Sequence, residues 1–230
     1  MIFIILSLFL PIYTASSMGM GLIPSRAEGM SITGVRYYSL SDLNGMMVET
    51  DWPMRMVFTY LYAGGYREYT FYPEFELPIE DLSFKVSTHL LMDRWSDRFD
   101  FGFRVNVGIE YRFMSYTGGF TLRNAIAGIG GGEFYPEEEA YIKYYDRMFS
   151  TGFRLTLLQG SIDAGWGMQV DMNPLVLRLG FRTSPFVPGF GFGIKAHGLI
   201  IDMGFESHPV LGITECITIR RNVWKSALNM

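Results

Sequence analysis

Between Phe101 and Phe113 the chain reads FGFRVNVGIEYRF, with a large apolar side chain at every odd position and Gly, Arg, Asn or Glu at every even one. A strand sends successive side chains to opposite faces, so this segment has one oily face and one charged face. Any fold that accepts it must give the two faces different surroundings. The pattern recurs. Ile162, Ala164, Trp166, Met168 and Val170 alternate with Ser161, Asp163, Gly165, Gly167, Gln169 and Asp171, and Leu175, Leu177, Leu179 and Phe181 with Val176, Arg178, Gly180 and Arg182. About twelve such runs, of roughly eight to thirteen residues, can be traced. They lie near 31–39, 54–63, 66–76, 82–92, 100–113, 119–128, 149–158, 161–171, 174–183, 188–195, 198–206 and 211–220. Most are joined by short turn signals such as Gly64-Gly65, Gln159-Gly160, Asn173-Pro174 and His197-Gly198. The expectation is an all-β antiparallel up-and-down meander of about twelve strands, with ten to fourteen as the range.

Two architectures make such a pattern. A soluble sandwich or lipocalin-like barrel turns its oily faces inward; a transmembrane β-barrel turns them outward to lipid. Three features favour the second. Ten residues at about 3.3 Å rise and roughly 45° tilt cross about 25 Å of hydrocarbon, and several runs are that long. The polar face carries Gly, Ser, Asp and Arg rather than the Lys, Glu and Thr of a soluble surface. Aromatic residues (Tyr60, Tyr62, Phe101, Tyr111, Phe113) sit near strand ends on the oily phase, as interfacial girdles require. Composition agrees: 49% of residues are hydrophobic and only 18% charged, with 26 glycines. Soluble domains average about 25% charged. Glu215 falls on the oily phase between Ile213 and Ile217. It must lie near an interface, at a bulge or against a neighbouring protein.

The apolar run from Ile2 to Tyr13, followed by Ala15, Ser16 and Ser17, reads as a secretory signal over residues 1–17. That leaves 18–230 as one outer-membrane barrel domain. The net charge of −4 gives no basic footprint, so nucleic acid is not an expected partner. The single cysteine, Cys216, reads as a small strand residue.

The inward phase gathers the candidate lumen lining: Lys85, Arg104, Glu110, Arg112, Arg123, Arg154, Asp163, Asp171, Arg178, Arg182 and Asp202. Both signs are present, so the set suits either a salt-bridged plug or a selectivity lining. The longest connection, 128–149, reads as a loop. Its Tyr135, Glu137, Glu138, Glu139, Tyr141, Tyr144 and Tyr145 are candidate contacts for a ligand or partner. The acidic spacing there fits no calcium loop, and its glycines lack the Lys-Ser/Thr of a phosphate loop. Of the three histidines, His197 and His208 belong to turns, and His89 stands on the polar phase beside Ser87. No catalytic set, metal site or cofactor is expected.

The segment 177–219 resembles the closing strands of the barrels related to long-chain fatty-acid transporters, including the PorV-type proteins of type IX secretion. The matching residues are Arg178, Gly180, Phe181, Arg182, Gly189, Gly191, Gly193, Asp202, His208, Pro209, Leu211, Gly212 and Thr214. The stretch SRAEGMSITGVRYYSLSDLNG near the N-terminus looks like a degraded version of the opening of the same family. The transporter resemblance implies passive passage of small or hydrophobic molecules across a bacterial outer membrane, with lipid around the barrel and a hydrophobic ligand inside. The PorV-type resemblance implies a non-conducting adaptor that binds envelope or secreted proteins. A pore predicts salt-dependent current sensitive to Arg104 or Arg178; an adaptor predicts no current, and partners lost on deleting 130–148.

Overall fold

The computed structural model describes residues 29–51, 54–95, 98–129 and 135–221. The signal-like run, the C-terminal tail and the first four residues of the stretch carrying the N-terminal resemblance, 25–28, lie outside the described residues. Fourteen strands are present among the described residues: β1 (Met30–Arg36), β2 (Leu43–Thr50), β3 (Arg55–Ala63), β4 (Tyr66–Ile79), β5 (Leu82–Trp95), β6 (Arg98–Phe113), β7 (Tyr116–Ile129), β8 (Glu137–Tyr145), β9 (Phe149–Leu158), β10 (Ser161–Asp171), β11 (Leu175–Thr183), β12 (Phe186–Ala196), β13 (Leu199–His208) and β14 (Gly212–Arg221). Each pairs antiparallel with its neighbour in the chain, and β1 closes the barrel on β14 through pairs such as Ile32↔Ile219. Closure leaves no open sheet edge between first and last strand.

The barrel is inside-out relative to a soluble one. On β12, Phe186, Phe190, Phe192 and Ile194 are exposed while Val187, Gly189, Gly191 and Gly193 are buried. Phe101, from the segment that opened the sequence reading, is 67% exposed, whereas Asp202 is fully buried. Leaving a large apolar side chain in water costs about 1.5–3 kcal/mol relative to burying it. The four on β12 alone would consume about 6–12 kcal/mol, comparable with the whole stability of an ordinary domain. Such an exterior belongs against hydrocarbon, and the soluble lipocalin-like alternative is set aside.

The number of strands corrects the expectation of about twelve. The additions are β2 and β8, and neither shows the oily/polar alternation. Inward-facing β2 residues are Leu43, Gly45, Met47 and Glu49, while its outer face carries Asn44 and Thr50. In β8 carboxylates stand on both phases, Glu137 and Glu139 inward and Glu138 outward. The first run also ends sooner than expected: β1 stops at Arg36, and Tyr38 and Ser39 take positive φ (53° and 55°) in the turn beyond it.

Several turns match their chemistry. Gln159-Gly160 (φ 50° and 78°) and His197-Gly198 (φ 51° and 78°) are two-residue hairpins with both residues left-handed. This is the geometry whose twist suits paired strands. At the β8–β9 turn, the Asp146 carboxylate accepts the backbone N–H groups of Met148 (2.8 Å) and Phe149 (2.9 Å), which hold its carboxyl below the usual carboxylate range.

One irregularity went unseen in the sequence. Val105 pairs with Ile126 and Val107 with Leu122, so Arg123, Asn124 and Ala125 of β7 together face Asn106 of β6. Asn124 takes φ 53°, and its N–H donates to Asn106 Oδ1 at 2.9 Å. Two extra residues preserve parity, so the faces of β7 keep their sense on both sides of this bulge.

Glu215 is settled by register. It lies opposite Arg36 on the outward face, the two joined at 2.9 Å, a few residues from the β13–β14 turn. Arg36 is the last residue of β1 and Glu215 the fourth of β14, which places the pair toward the rim.

Candidate functional site: the barrel interior

Parity along each strand decides which side chains enter the lumen, and the structure puts every predicted lining residue on the inward phase. They do not form one cluster. Lys85 reaches Glu110 at 2.7 Å, and Glu110 also accepts from Arg112 (2.9 Å) and from the Tyr141 hydroxyl (2.5 Å). Arg123 meets Glu137 (3.2 Å) and Glu139 (2.7 Å); Arg154 bonds Asp163 at 3.0 Å. Arg178 Nη1 donates to Asp202 at 2.7 Å, and Arg220 takes the other carboxylate oxygen at 2.8 Å. Asp171 pairs with Lys195, and Arg182 lies 3.7 Å from Glu206. Arg104 stands opposite His89 across β5 and β6.

Burial explains the pairing. Asp202 is inaccessible and Arg178 nearly so, at 0% and 2% for their side chains. A charge buried to that degree without a partner costs several kcal/mol. The glycines opposite make room: a Cβ on Gly193 would meet the Asp202 carboxylate and lie 3.4 Å from Arg178 Nη1. The motif read from 177–219 is therefore, in structural terms, an ion pair laid flat on a glycine-paved wall.

The expected loop 128–149 is corrected. β7 runs to Ile129, and residues 137–145 form β8. Glu137, Glu139 and Tyr141 face the lumen, where Glu139 is 3% exposed, while Glu138 and Tyr145 are exposed. Tyr144 packs against Tyr116 with ring centroids 5.2 Å apart, and Tyr135 lies before the strand. Removing 130–148 would take out a barrel strand, so that deletion does not discriminate between a pore and an adaptor.

Sequence reasoning missed two inner features. On β2–β6, Arg55 bridges Glu49 (2.6 Å) and Glu74 (3.0 Å), and Tyr72 stacks on His89 with ring centroids 4.2 Å apart. His89 Nε2 lies 2.8 Å from Asn106 Nδ2 and 3.2 Å from Ser87 Oγ. The parity of β5 marks His89 as inward, but only pairing shows that Tyr72 meets it. The other feature is an apolar cluster inside the barrel, made by Val35, Tyr37, Leu43, Leu61, Tyr66 and Cys216 from β1 to β4, β14 and the β1–β2 turn. It lies at the end that carries the β1–β2 turn, where a polar lining was expected.

No family model matches the chain, and neither does any curated protein sequence. Solved structures do share its fold. The CymD monoaromatic hydrocarbon channel superposes with a TM-score of 0.65 at 11% identity, covering 90% of this chain and 97% of that one. The Pseudomonas putida toluene transporter TodX gives 0.60 at 8% identity, covering 93% and 98%. The Acinetobacter baumannii outer membrane protein Omp33 gives 0.59 at 10%, covering 85% and 98%. At these identities the shared property is the closed outer-membrane-type barrel.

Proposed function

We propose that this chain is a bacterial outer-membrane barrel that passively admits small molecules of hydrophobic character. The observation that carries the reading is the inverted closed wall. An oily exterior fits lipid and encloses a lumen that is the one route not lined by hydrocarbon-facing side chains. Buried ion pairs along β9–β14 narrow that lumen, which favours small solutes. The likeness in fold to a toluene transporter and a monoaromatic hydrocarbon channel supports this solute class. The resemblance of 177–219 to fatty-acid-transporter-like barrels points the same way, and that family is the finer assignment proposed here.

The test is uptake into proteoliposomes of a monoaromatic hydrocarbon beside a sugar of similar size, with single-channel current recorded in planar bilayers. Faster hydrocarbon uptake than in protein-free liposomes, with sugar unchanged, is expected. Neither uptake nor current would overturn transport and return the barrel to the adaptor class.

A further inference from the structure

The β1–β2 connection does not close its strands as nearby hairpins do. Gly64-Gly65 and Gln159-Gly160 turn the chain in two residues, whereas 37–42 takes six. The inward phase of β1 runs on for one more residue, so Tyr37 follows Val35 into the lumen, where it is 4% exposed. There it packs in the apolar cluster with Val35, Leu43, Leu61, Tyr66 and Cys216. Tyr38 and Ser39 then take φ of 53° and 55°, and the chain bends onto the ends of β13 and β14. The Tyr38 N–H donates to Thr214 Oγ1 at 3.4 Å, and Ser39 Oγ donates to the Ile213 carbonyl at 3.3 Å. The Tyr38 ring meets His208 edge-on, with centroids 5.8 Å apart. Residues 39–42, on the far side of the bend, are exposed.

The seated turn covers an unfinished polar contact. The partly buried Tyr38 phenol lies in the field of Arg182 of β11 and Glu206 of β13, both on the inward phase. Those two approach only to 3.7 Å, and Glu206 is 8% exposed. Glu206 Oε1 and Arg182 Nε are buried without a hydrogen bond. A buried polar atom left unpaired costs its desolvation, which water entering under the turn would restore. Two successive non-glycine residues at positive φ add a second cost to the seated position. Against these stand the burial of the Tyr37 ring, two long hydrogen bonds and one ring contact. The opposing contributions are few, and those that hold the turn down lie in one connection outside the closed ladder of strands. Such a segment can exchange between two positions while the wall stays intact.

We propose that the connection 37–42 is a lid on this mouth of the lumen, closed when Tyr37 sits in its apolar socket and open when the turn lifts off β13 and β14. The lid regulates the passage proposed above and rests on that reading for what it controls; its test reads the lid itself. Cys216 is the reporter, because it lies beside Tyr37 in the socket and is 1% exposed. The full chain in lipid nanodiscs, with both mouths in water, is treated with a small charged maleimide, and modification of Cys216 is followed by mass spectrometry. S39C/I213C, at positions already in contact, gives one protein in two states: tied down by a disulfide, or reduced and desalted. Modification of Cys216 is expected to be at least tenfold slower in the oxidised form than in the reduced one. Y37S, which empties the socket, is expected to react at least tenfold faster than the wild type. Equal rates in the two redox forms would overturn the lid, as would Y37S at the wild-type rate. A pair that cannot be oxidised would place the turn away from β14 and overturn it too. Heat-modifiable gel mobility separates a lifted turn from an opened barrel in Y37S, and the redox comparison holds without that variant because it is made within one folded protein. Planar-bilayer current tests the other reading. Current in the reduced form alone ties the lid to passage, whereas redox-gated modification with no current in either form keeps the lid and overturns transport.

Discussion

The barrel has two unlike halves. From β9 to β14 the strands are nine to eleven residues long, alternate cleanly and face the lumen with glycine under paired charges. From β4 to β7 they run to fourteen and sixteen residues, and β7 carries a bulge. The lumen there is lined by larger polar and aromatic groups, with Tyr72 on His89 and Tyr141 on Glu110. In the first half the backbone makes the room and a few charges fill it. In the second the side chains do both, so that half is where a solute has varied chemistry to meet.

This contrast predicts where substitutions hurt most. Asp202→Ala removes the carboxylate that lies between Arg178 and Arg220 in a fully buried site. A loss of about 3–5 kcal/mol is expected, as for one partner removed from a buried pair. Guanidinium unfolding of the vesicle-embedded barrel would measure it. A loss under about 1 kcal/mol would show that water reaches this wall and that the halves differ less than their burial implies. Gly193→Ala comes next. The added methyl must push the Asp202 carboxylate away, so about 1–3 kcal/mol is expected for overpacking, by the same measurement. The effect should be strongly non-additive with Asp202→Ala, because both act on one contact.

The same division governs what could be read from sequence. The β9–β14 strands were legible because lipid on one side and a glycine-and-charge wall on the other impose opposite chemistry on alternate residues. The fit of Arg178 and Asp202 followed from parity. Outside those strands the rule fails where an inward face is apolar, as with Leu43 and Met47 of β2, or an outward one charged, as with Glu138 of β8. Both strands lost their alternation and read as connections. The pairing of Tyr72 with His89 depends on register between strands, and the β6–β7 bulge on one asparagine capping another. Neither leaves a periodic trace.

Asn106→Ala probes that irregular half. It removes the carbonyl oxygen that accepts the Asn124 N–H at the bulge, and an effect of about 0.5–1.5 kcal/mol on the same unfolding curve is expected for one part-buried hydrogen bond. Backbone hydrogen exchange should localise the loosening to β6 and β7. Uniform loosening around the barrel would mean that the bulge is coupled to the whole wall rather than confined to its half.

The smallest effect is the one that fixes depth. Arg36 and Glu215 face outward together, and each is more than a third exposed. At the rim, water and ions screen the pair, so a double-mutant cycle through R36Q and E215Q should give about 0.2–1 kcal/mol. At 1 M salt, where the screening length falls to about 3 Å, the coupling should nearly vanish. At mid-depth, Glu215→Gln would instead leave an arginine facing hydrocarbon, at about 2–4 kcal/mol, and added salt would change little. A small, salt-sensitive coupling thus sets the β13–β14 turn at the interface. From that level the adjoining β14 and β1 residues, Ile217, Ile219 and Ile32, all exposed and apolar, descend into lipid.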